Sequence, residues 1–384
     1  MGVLLALTLG ALLTWRQAVL AEHSAATANA HLEAMLNVLS AASPDVYAGR
    51  EPRASEFLIE AARRLEARFS DDPALIWSSL SQIGIGLMNL NHFAEAEVLL
   101  QRALAALDQV EPRDLERELD TLRYVVTAQR GFASAAQISS VGDRIAQVAA
   151  EMDAPAGAAI NALASAANSL SRVGDLGRAY QWLERAEQLR LTAPQLPASV
   201  LENYWRQRGW TALRGLDIET AEAAVRASLE VIDGEPSQFS ALRRAEAEIL
   251  LAQTSLLRHD GAGALAFLAK ARDAVAAEYP PAHLEQSMFM VLEARALLES
   301  NQAARALKVI EVAAAQLTDA ASGTSEISIV DDAHVANAVL AHAYAAARRR
   351  ADARLALAKA QPAPVLANRR SWTRAAGMLA RYCA

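Results

Sequence analysis

Residues 163–189 read LASAANSLSRVGDLGRAYQWLERAEQL, and they hold the clearest copy of a repeated helical pattern. Small and apolar residues recur every three or four positions on both sides of a Gly-Asp turn at residues 174–175, which is the spacing of one helix face. Those positions are Leu163, Ala167 and Leu170 before the turn, and Ala179, Leu183 and Ala186 after it. Glycine gives the backbone freedom that ends one helix, and aspartate caps the next. The pattern predicts two helices that pack together across a short turn.

The same unit recurs along the chain. An alanine follows a short turn in each copy, at Ala96, Ala135, Ala179, Ala221, Ala264, Ala306 and Ala353. Successive alanines are 39, 44, 42, 43, 42 and 47 residues apart, within the roughly 20–50 residues typical of helical solenoids. Because one helix pair cannot bury its apolar face alone, neighbouring pairs must stack.

Composition agrees with an all-α fold and narrows the function. Hydrophobic residues make up 53% of the chain, much of it alanine and leucine, whereas aromatic residues reach 5%; alanine and leucine are strong helix formers. The formal net charge is −7, which argues against a dedicated nucleic-acid binder, since such proteins usually carry a basic excess. The single cysteine, Cys383, excludes an internal disulfide and a cysteine-cluster metal site.

The repeated unit resembles the tetratricopeptide repeat in its long-helix variety, over residues 75–360. Small residues at Gly84, Ala167 and Gly209 stand where two helices would cross closely. The second copy departs from the pattern, because Arg123 falls at this small position. The resemblance implies a right-handed α-solenoid of about seven helix pairs, preceded by an apolar anchor and a linker helix.

The amino terminus carries an uncharged run, VLLALTLGALLTW at residues 3–15. A full membrane span needs roughly 20 apolar residues, so we interpret this run as a shortened membrane anchor. A signal peptide and a soluble packing helix are the alternatives. The predicted organisation is an anchor at 1–15, linker helices at 16–74, the repeat array at 75–365 and a capping helix at 366–384.

The first part of the chain has a second, narrower resemblance. An apolar run ending in Trp-Arg-Gln at residues 15–17, Ala-Ser-Pro-Asp at 42–45 and FLIEAARRLEARF at 57–69 follow one another. This order is similar to the segment that follows the kinase domain in bacterial membrane-anchored serine/threonine protein kinases with a repeat-bearing carboxy-terminal half. It implies that the array lies on the side of the cytoplasmic membrane opposite the kinase, in the periplasm. Arg16 weakly favours the other orientation, which stays open.

Motifs for catalysis are missing from the sequence. A kinase needs a glycine-rich phosphate loop, a lysine on a strand and a catalytic aspartate. Residues 84–86 are only a lone G-x-G in a predicted helix, and residues 258–260 (Arg-His-Asp) sit at a repeat turn. Residues 331–334 (Asp-Asp-Ala-His) read as a helix start rather than a metal cluster. We predict that the chain is not an enzyme and that it uses no cofactor and no metal.

The tetratricopeptide resemblance implies a concave groove lined by the first helix of each pair. Residues one position after the small crossing residue, with three arginines nearby, form the predicted partner site: Tyr124, Asn168, Arg172, Arg206, Trp210, Arg214, Gln253, Arg295 and His342. Arginines beside a tryptophan suit a protein or peptide partner with acidic groups. The alternative is that these are ordinary residues at a polar helix edge.

Two functions follow as expectations. The first is a non-catalytic protein- or peptide-binding scaffold or sensor in bacterial signalling, tethered to the membrane through the amino-terminal segment. The second is the sensor half of a serine/threonine protein kinase whose catalytic domain is absent from this chain. A soluble sensor domain of a transcriptional regulator ranks last, because no DNA-binding helix–turn–helix is recognisable in the sequence.

Overall fold

The structure is a computed structural model that describes residues 53–152, 157–193, 195–237, 240–322 and 327–360. Within these ranges every regular element is an α-helix, which confirms the all-α prediction. The predicted anchor at 1–15, the first part of the predicted linker and the predicted capping helix at 366–384 lie outside the described residues. In the ranges that are described, no helix is both long and apolar enough to cross a membrane.

Fifteen helices follow one another in the described part of the chain. They are α1 (Ala54–Arg68), α2 (Pro73–Asn89), α3 (Phe93–Leu107), α4 (Leu115–Gln129), α5 (Ala135–Ala150), α6 (Gly157–Arg172), α7 (Leu176–Thr192), α8 (Ala198–Arg214), α9 (Ile218–Gly234), α10 (Ser240–Leu257), α11 (Gly261–Glu278), α12 (Leu284–Glu299), α13 (Ala303–Ser322), α14 (Ile327–Ala346) and α15 (Arg350–Lys359). From α2 onward the described helices form seven consecutive pairs, as the repeat period predicts.

Packing divides the chain after Asp114 into two units. The first contains α1, α2 and α3, and its core includes the fully buried Leu80, Leu87 and Leu100. A Cβ atom on Gly84 would lie 2.9 Å from the Cγ atom of Leu100. Glycine at this position therefore allows α2 and α3 to approach closely.

The second unit contains α4 to α15, and in most pairs the fourth residue of the second helix is a buried alanine. Over both units, these alanines are Ala96, Ala179, Ala221, Ala264, Ala306 and Ala353, none more than 3% exposed. In α5 this place is taken by Ile138, which is fully buried, whereas Ala135 is the first residue of the helix. The sequence alignment on Ala135 is therefore three residues out of register.

Most pairs also share one turn. The second residue after the end of the first helix adopts a left-handed conformation, at Asn91, Gly174, Leu216, His259, Asn301 and Arg348. The next amide then donates a hydrogen bond of 2.8–3.1 Å to the carbonyl oxygen five residues earlier, which is the Schellman helix end. The α4–α5 turn differs, because Ser134 and Gln137 form a capping box there instead.

Candidate partner-binding groove

All nine predicted site residues lie on the first helices of pairs in the second unit, and each is half-buried. Half-burial is what a polar groove lining requires, because such a side chain is held by its neighbours and still meets solvent. The structure brings five of the nine together on α6 and α8: Asn168, Arg172, Arg206, Trp210 and Arg214.

Helix α4 is held in register with α6 by one hydrogen bond, in which the Ser169 hydroxyl donates to the Val126 carbonyl oxygen at 2.9 Å. Val126 is 42 residues before Asn168, which is 42 residues before Trp210. Val126 is therefore the residue on α4 equivalent to these two predicted groove residues.

This register corrects the alignment of the second copy. The buried residue at the helix crossing is Val125 and not Arg123, so Tyr124 lies two positions before the place that the repeat pattern assigned to it. The guanidinium of Arg123 stacks on the Tyr124 ring, 4.0 Å from its centroid, and also pairs with Asp120 at 2.7 Å. The misalignment arose because this copy has valine where other copies have glycine or alanine.

A chain of amide side chains connects α6 and α8. Asn203 Nδ2 donates to Asn161 Oδ1 at 2.8 Å, and Gln207 Nε2 donates to Asn203 Oδ1 at 3.1 Å. Asn168 Nδ2 donates to Gln207 Oε1 at 2.5 Å. We call Asn161, Asn168, Asn203 and Gln207 the amide chain. Because each amide carries both donors and acceptors, the amide chain can also bond an extended backbone.

Three arginines stand at the ends of successive first helices, 42 residues apart: Arg172 and Arg214 are the last residues of α6 and α8, and Arg130 directly follows α4. We call Arg130, Arg172 and Arg214 the arginine ladder. Arg214 Nη1 donates to Asn168 Oδ1 and, at 3.0 Å, to Ser171 Oγ. These two bonds bring the Arg214 guanidinium to the end of α6, where Arg172 lies.

Two members of the arginine ladder, Arg172 and Arg214, have no carboxylate partner among the described residues. Among the described residues, Arg214 bonds only neutral oxygen atoms, and Arg172 makes no hydrogen bond or ion pair. Desolvation lowers the pKa of Arg214 well below its ordinary value, and the charges of Arg172 and Arg130 act in the same direction. Desolvation also lowers the pKa of Arg130 to about 10, with Arg172 adding to the effect. Desolvation first, and repulsion between the arginines second, therefore disfavour the charged forms of Arg214 and Arg130.

Beside the ladder, two other arginines have carboxylate partners. Arg206 Nε lies 3.0 Å from Glu202 Oε1 and 3.5 Å from Glu246 Oε2. Arg243 lies 2.9 Å from Glu246 and 3.9 Å from Glu202. We call these four residues the paired network. Desolvation acts to lower the pKa of Arg243, but Glu246 and Glu202 outweigh it and the pKa is raised.

Residues of the ladder and of the network lie near one another. The pKa of Arg130, just after α4, is influenced by Glu285 at the start of α12, by Arg206 on α8 and by Glu246 on α10, so residues far apart in sequence line a common space. We call this space the groove. A pocket in it, lined in part by Arg206, Trp210 and Arg243, has a volume of about 10 Å³. That is room for about one water, and a drug-sized ligand needs far more.

The remaining predicted residues lie elsewhere in the second unit. Desolvation lowers the pKa of both Arg295 and His342, and the charge of Glu299 acts in the opposite direction on each. Glu299 also lies 3.4 Å from the ring of His259. In the described part of the chain, no side-chain hydrogen bond connects Gln253 to this cluster or to the groove.

Sequence reasoning missed Arg130, the amide chain beyond Asn168, and the paired network beyond Arg206. The strict 42-residue spacing of Arg130, Arg172 and Arg214 was the signal that could have found the first. Within the described ranges, no group of three or more His, Cys, Asp or Glu residues is arranged to hold a metal ion.

Comparison with known proteins supports the fold. No protein-family model and no curated protein matches the chain. Among solved structures, the chain is similar to a Rap protein complexed with competence and sporulation factor. The two chains are 14% identical, the match covers 94% of this chain and 99% of the Rap chain, and the TM-score is 0.52. This chain is also similar to BtubC (BKLC) from P. vanneervenii: 17% identity, 59% and 89% covered, TM-score 0.41.

The helix pairs, their period and the similarity to the Rap protein define a tetratricopeptide-like helical repeat protein. At 14% identity the similarity shows the fold alone. Nothing in the comparisons supports an origin from a kinase.

Proposed function

We propose that the groove binds an extended segment of another protein, or a peptide, and that the chain acts without catalysis as a scaffold or sensor. The observation that carries this proposal is the amide chain. Its four half-buried or buried polar side chains bond to one another across α6 and α8, and a bound backbone can exchange for these bonds at little cost.

The repeat fold gives the proposal its wider support. Helical repeat arrays present long concave surfaces to their partners. The Rap protein of similar fold was solved in complex with competence and sporulation factor. The pocket in the groove is too small for a cofactor, whereas an extended segment needs only a surface.

The charge of the groove suggests the chemistry of the partner. Arg172 and Arg214 have no carboxylate partner among the described residues, and Trp210 lies beside them, its ring centroid 5.7 Å from the Arg214 guanidinium. Arginine and tryptophan are the residues enriched at binding hot spots. We propose that the bound segment carries acidic groups.

The test is selection from a displayed library of random peptides against the immobilised full chain. We expect enriched sequences whose binding weakens about tenfold in Gln207→Ala, because one backbone hydrogen bond is lost. The matched control is Gln188→Ala, whose amide donates only to Glu184 on its own helix. Failure to enrich any sequence, or equal binding by Gln207→Ala and the wild type, would contradict the proposal.

We also propose that residues 1–15 tether the chain to the cytoplasmic membrane. Support comes from the thirteen uncharged residues at 3–15. Membrane fractionation of the full chain and of a chain without residues 1–15 tests the tether.

The narrower proposal, a kinase sensor half, rests on the resemblance of residues 15–69. An in-frame kinase domain in the DNA upstream supports it, and an upstream stop codon contradicts it.

A further inference from the structure

The arginine ladder is a regular feature of the fold. Its members occupy the same place at the ends of α4, α6 and α8, 42 residues apart. The bond between Ser169 and Val126 fixes α4 against α6, and the bond between Arg214 and Ser171 fixes α8 against α6. Stacking of the repeats therefore puts three positive charges in successive layers of one surface.

Arg172 and Arg214 lack the carboxylate partners that the neighbouring Arg206 and Arg243 have among the described residues. The carboxylate of Glu246 is engaged by Arg206 and Arg243. Glu246 and Glu285 both act on Arg130 at longer range, and Arg206 opposes them. Among the described residues, no carboxylate pairs with Arg172 or Arg214. A half-buried charge without an oppositely charged partner is unfavourable, so Arg172 and Arg214 are suited to accept an anion.

Arg214 is already placed for such a ligand. Three oxygen atoms, of Asn168, Ser171 and Trp210, accept bonds from its Nη1, and its guanidinium lies beside the Trp210 ring. An arginine held in this way loses little conformational entropy when it binds a carboxylate. Arg172, which has no such bonds, can close on the same anion from α6.

The surroundings select the kind of anion. Glu246 and Glu285 lie near enough to act on Arg130, and the whole chain carries a formal charge of −7. A continuous polyanion such as a nucleic acid would meet these carboxylates as well as the ladder and be repelled. An isolated carboxylate on a segment of mixed charge can bond Arg172 and Arg214 without extending along the surface to these carboxylates.

We propose that the arginine ladder is an anion site that binds an acidic side chain, Asp or Glu, of the segment held in the groove, with Arg172 and Arg214 as its direct ligands. The proposal rests on the proposed function, since the acidic side chain belongs to the bound segment. The shared chemistry is that of an oxyanion, and free phosphate is the other source that the experiment must separate.

The first arm of the experiment measures anion binding without a peptide. The full chain is unfolded thermally in sodium phosphate and in sodium chloride of equal ionic strength. We expect phosphate to raise the wild-type Tm by about 2–3 °C more than it raises that of Arg172→Gln. The control, Arg226→Gln, removes an arginine that is 65% exposed and pairs with Glu222 on its own helix, and it should respond like the wild type. An equal response of Arg172→Gln and wild type overturns the anion site.

The second arm uses peptides selected by the full chain from the random library. We expect them to be enriched in Asp or Glu at one position, and their affinity to fall about tenfold to a hundredfold in Arg172→Gln. Selected peptides without this enrichment, which bind less well to Gln207→Ala but equally to Arg172→Gln, overturn the inference and leave the proposed function standing. If the selected peptides show no enrichment in Asp or Glu while phosphate stabilises the wild type, the site binds free phosphate and the carboxylate assignment is wrong. If no peptide is enriched, the proposed function fails.

Discussion

Arg206 and Arg214 lie about two turns apart on the same helix, α8, but their electrostatic surroundings are opposite. Arg206 belongs to the paired network, where Glu202 and Glu246 neutralise it at 3.0 and 3.5 Å. Arg214 belongs to the arginine ladder, where it bonds only neutral oxygen atoms and is repelled by Arg172 and Arg130. The network links α8 to α10 through the ion pair of Arg206 and Glu246, whereas Arg214 has no carboxylate partner among the described residues.

The two regions have opposite effects on the free energy of unfolding, which the ladder lowers and the network raises. An arginine with two carboxylates beside it contributes to folding, whereas repulsion among Arg130, Arg172 and Arg214 opposes it. Unfavourable electrostatics that the fold retains are a common mark of a binding site. Charge removed from the network should therefore destabilise the protein, and positive charge removed from the ladder should stabilise it.

The largest effect is expected from breaking the paired network. Glu246→Gln removes the carboxylate shared by Arg206 and Arg243, whose side chains are 19% and 35% exposed. The free energy of unfolding should fall by about 1–2 kcal/mol, since partial exposure weakens the loss expected for a buried pair. Urea denaturation measures it. Glu230→Gln, at an exposed position on α9, is the control and should change little. A loss no larger than that of the control would show that the network does not stabilise the fold.

A carboxylate placed in the ladder should have the opposite effect. Asn168→Asp puts a charged oxygen where Asn168 Oδ1 already accepts from Arg214. The protein should gain about 1 kcal/mol in stability, because the charge-assisted bond to Arg214 outweighs the neutral bond from Asn168 Nδ2 to Gln207 that the substitution removes. It should also bind acidic peptides less well. Urea denaturation and peptide titration of the same variant check both. Unchanged binding would mean that Arg214 does not contact the acidic group.

Removing one charge from the ladder should also stabilise the free protein. Arg172→Gln relieves repulsion from Arg130 and Arg214 without breaking a hydrogen bond. We expect a gain of about 0.5–1 kcal/mol at low salt, and a smaller one at high salt because of screening. Denaturation at two salt concentrations measures the difference. A variant less stable than the wild type at low salt would refute the idea that these charges repel.

The smallest effect concerns a third cluster, Arg295, His342 and Glu299. Desolvation lowers the pKa of His342 below its ordinary 6.5, against the influence of Glu299. As pH falls below about 6.5, the unfolded chain takes up this proton before the folded one, so stability declines until the folded pKa is passed. His342→Gln should flatten this part of the stability–pH curve, measured by urea denaturation between about pH 7 and pH 5. An unchanged slope would indicate that His342 is not desolvated.

Much of the fold could be predicted from the sequence, because stacking imposes a repeated steric demand. Buried alanines such as Ala179 and Ala221, and turns such as the one at Gly174, recur at a regular interval and can be recognised from the sequence alone. The α4–α5 pair was misaligned because Ile138 and Val125 occupy the places of smaller residues. A larger side chain can fill such a place when the neighbouring helix moves slightly, and composition does not show this.

The candidate site was predictable only in part. Asn168, Arg172 and Arg214 were recognised as neighbours of a groove, but the carboxylate partners of Arg206 lie partly on α10, about 40 residues later in the chain. Which arginine is neutralised depends on side-chain conformation across the helix interface. The contrast between the ladder and the network is therefore a result of the three-dimensional structure.

Reversing a charge of the ladder is the sharpest test of whether the ladder binds an acidic side chain of the bound segment. The full chain carrying Arg172→Glu should be presented with the same random peptide library as the wild type, and the selected sequences compared. If the ladder binds an acidic side chain of the segment, the position at which the wild type selects Asp or Glu should turn to Lys or Arg in the variant. If both proteins select peptides of the same charge, the ladder does not contact the charged group of the ligand, and its assignment as the anion site is contradicted.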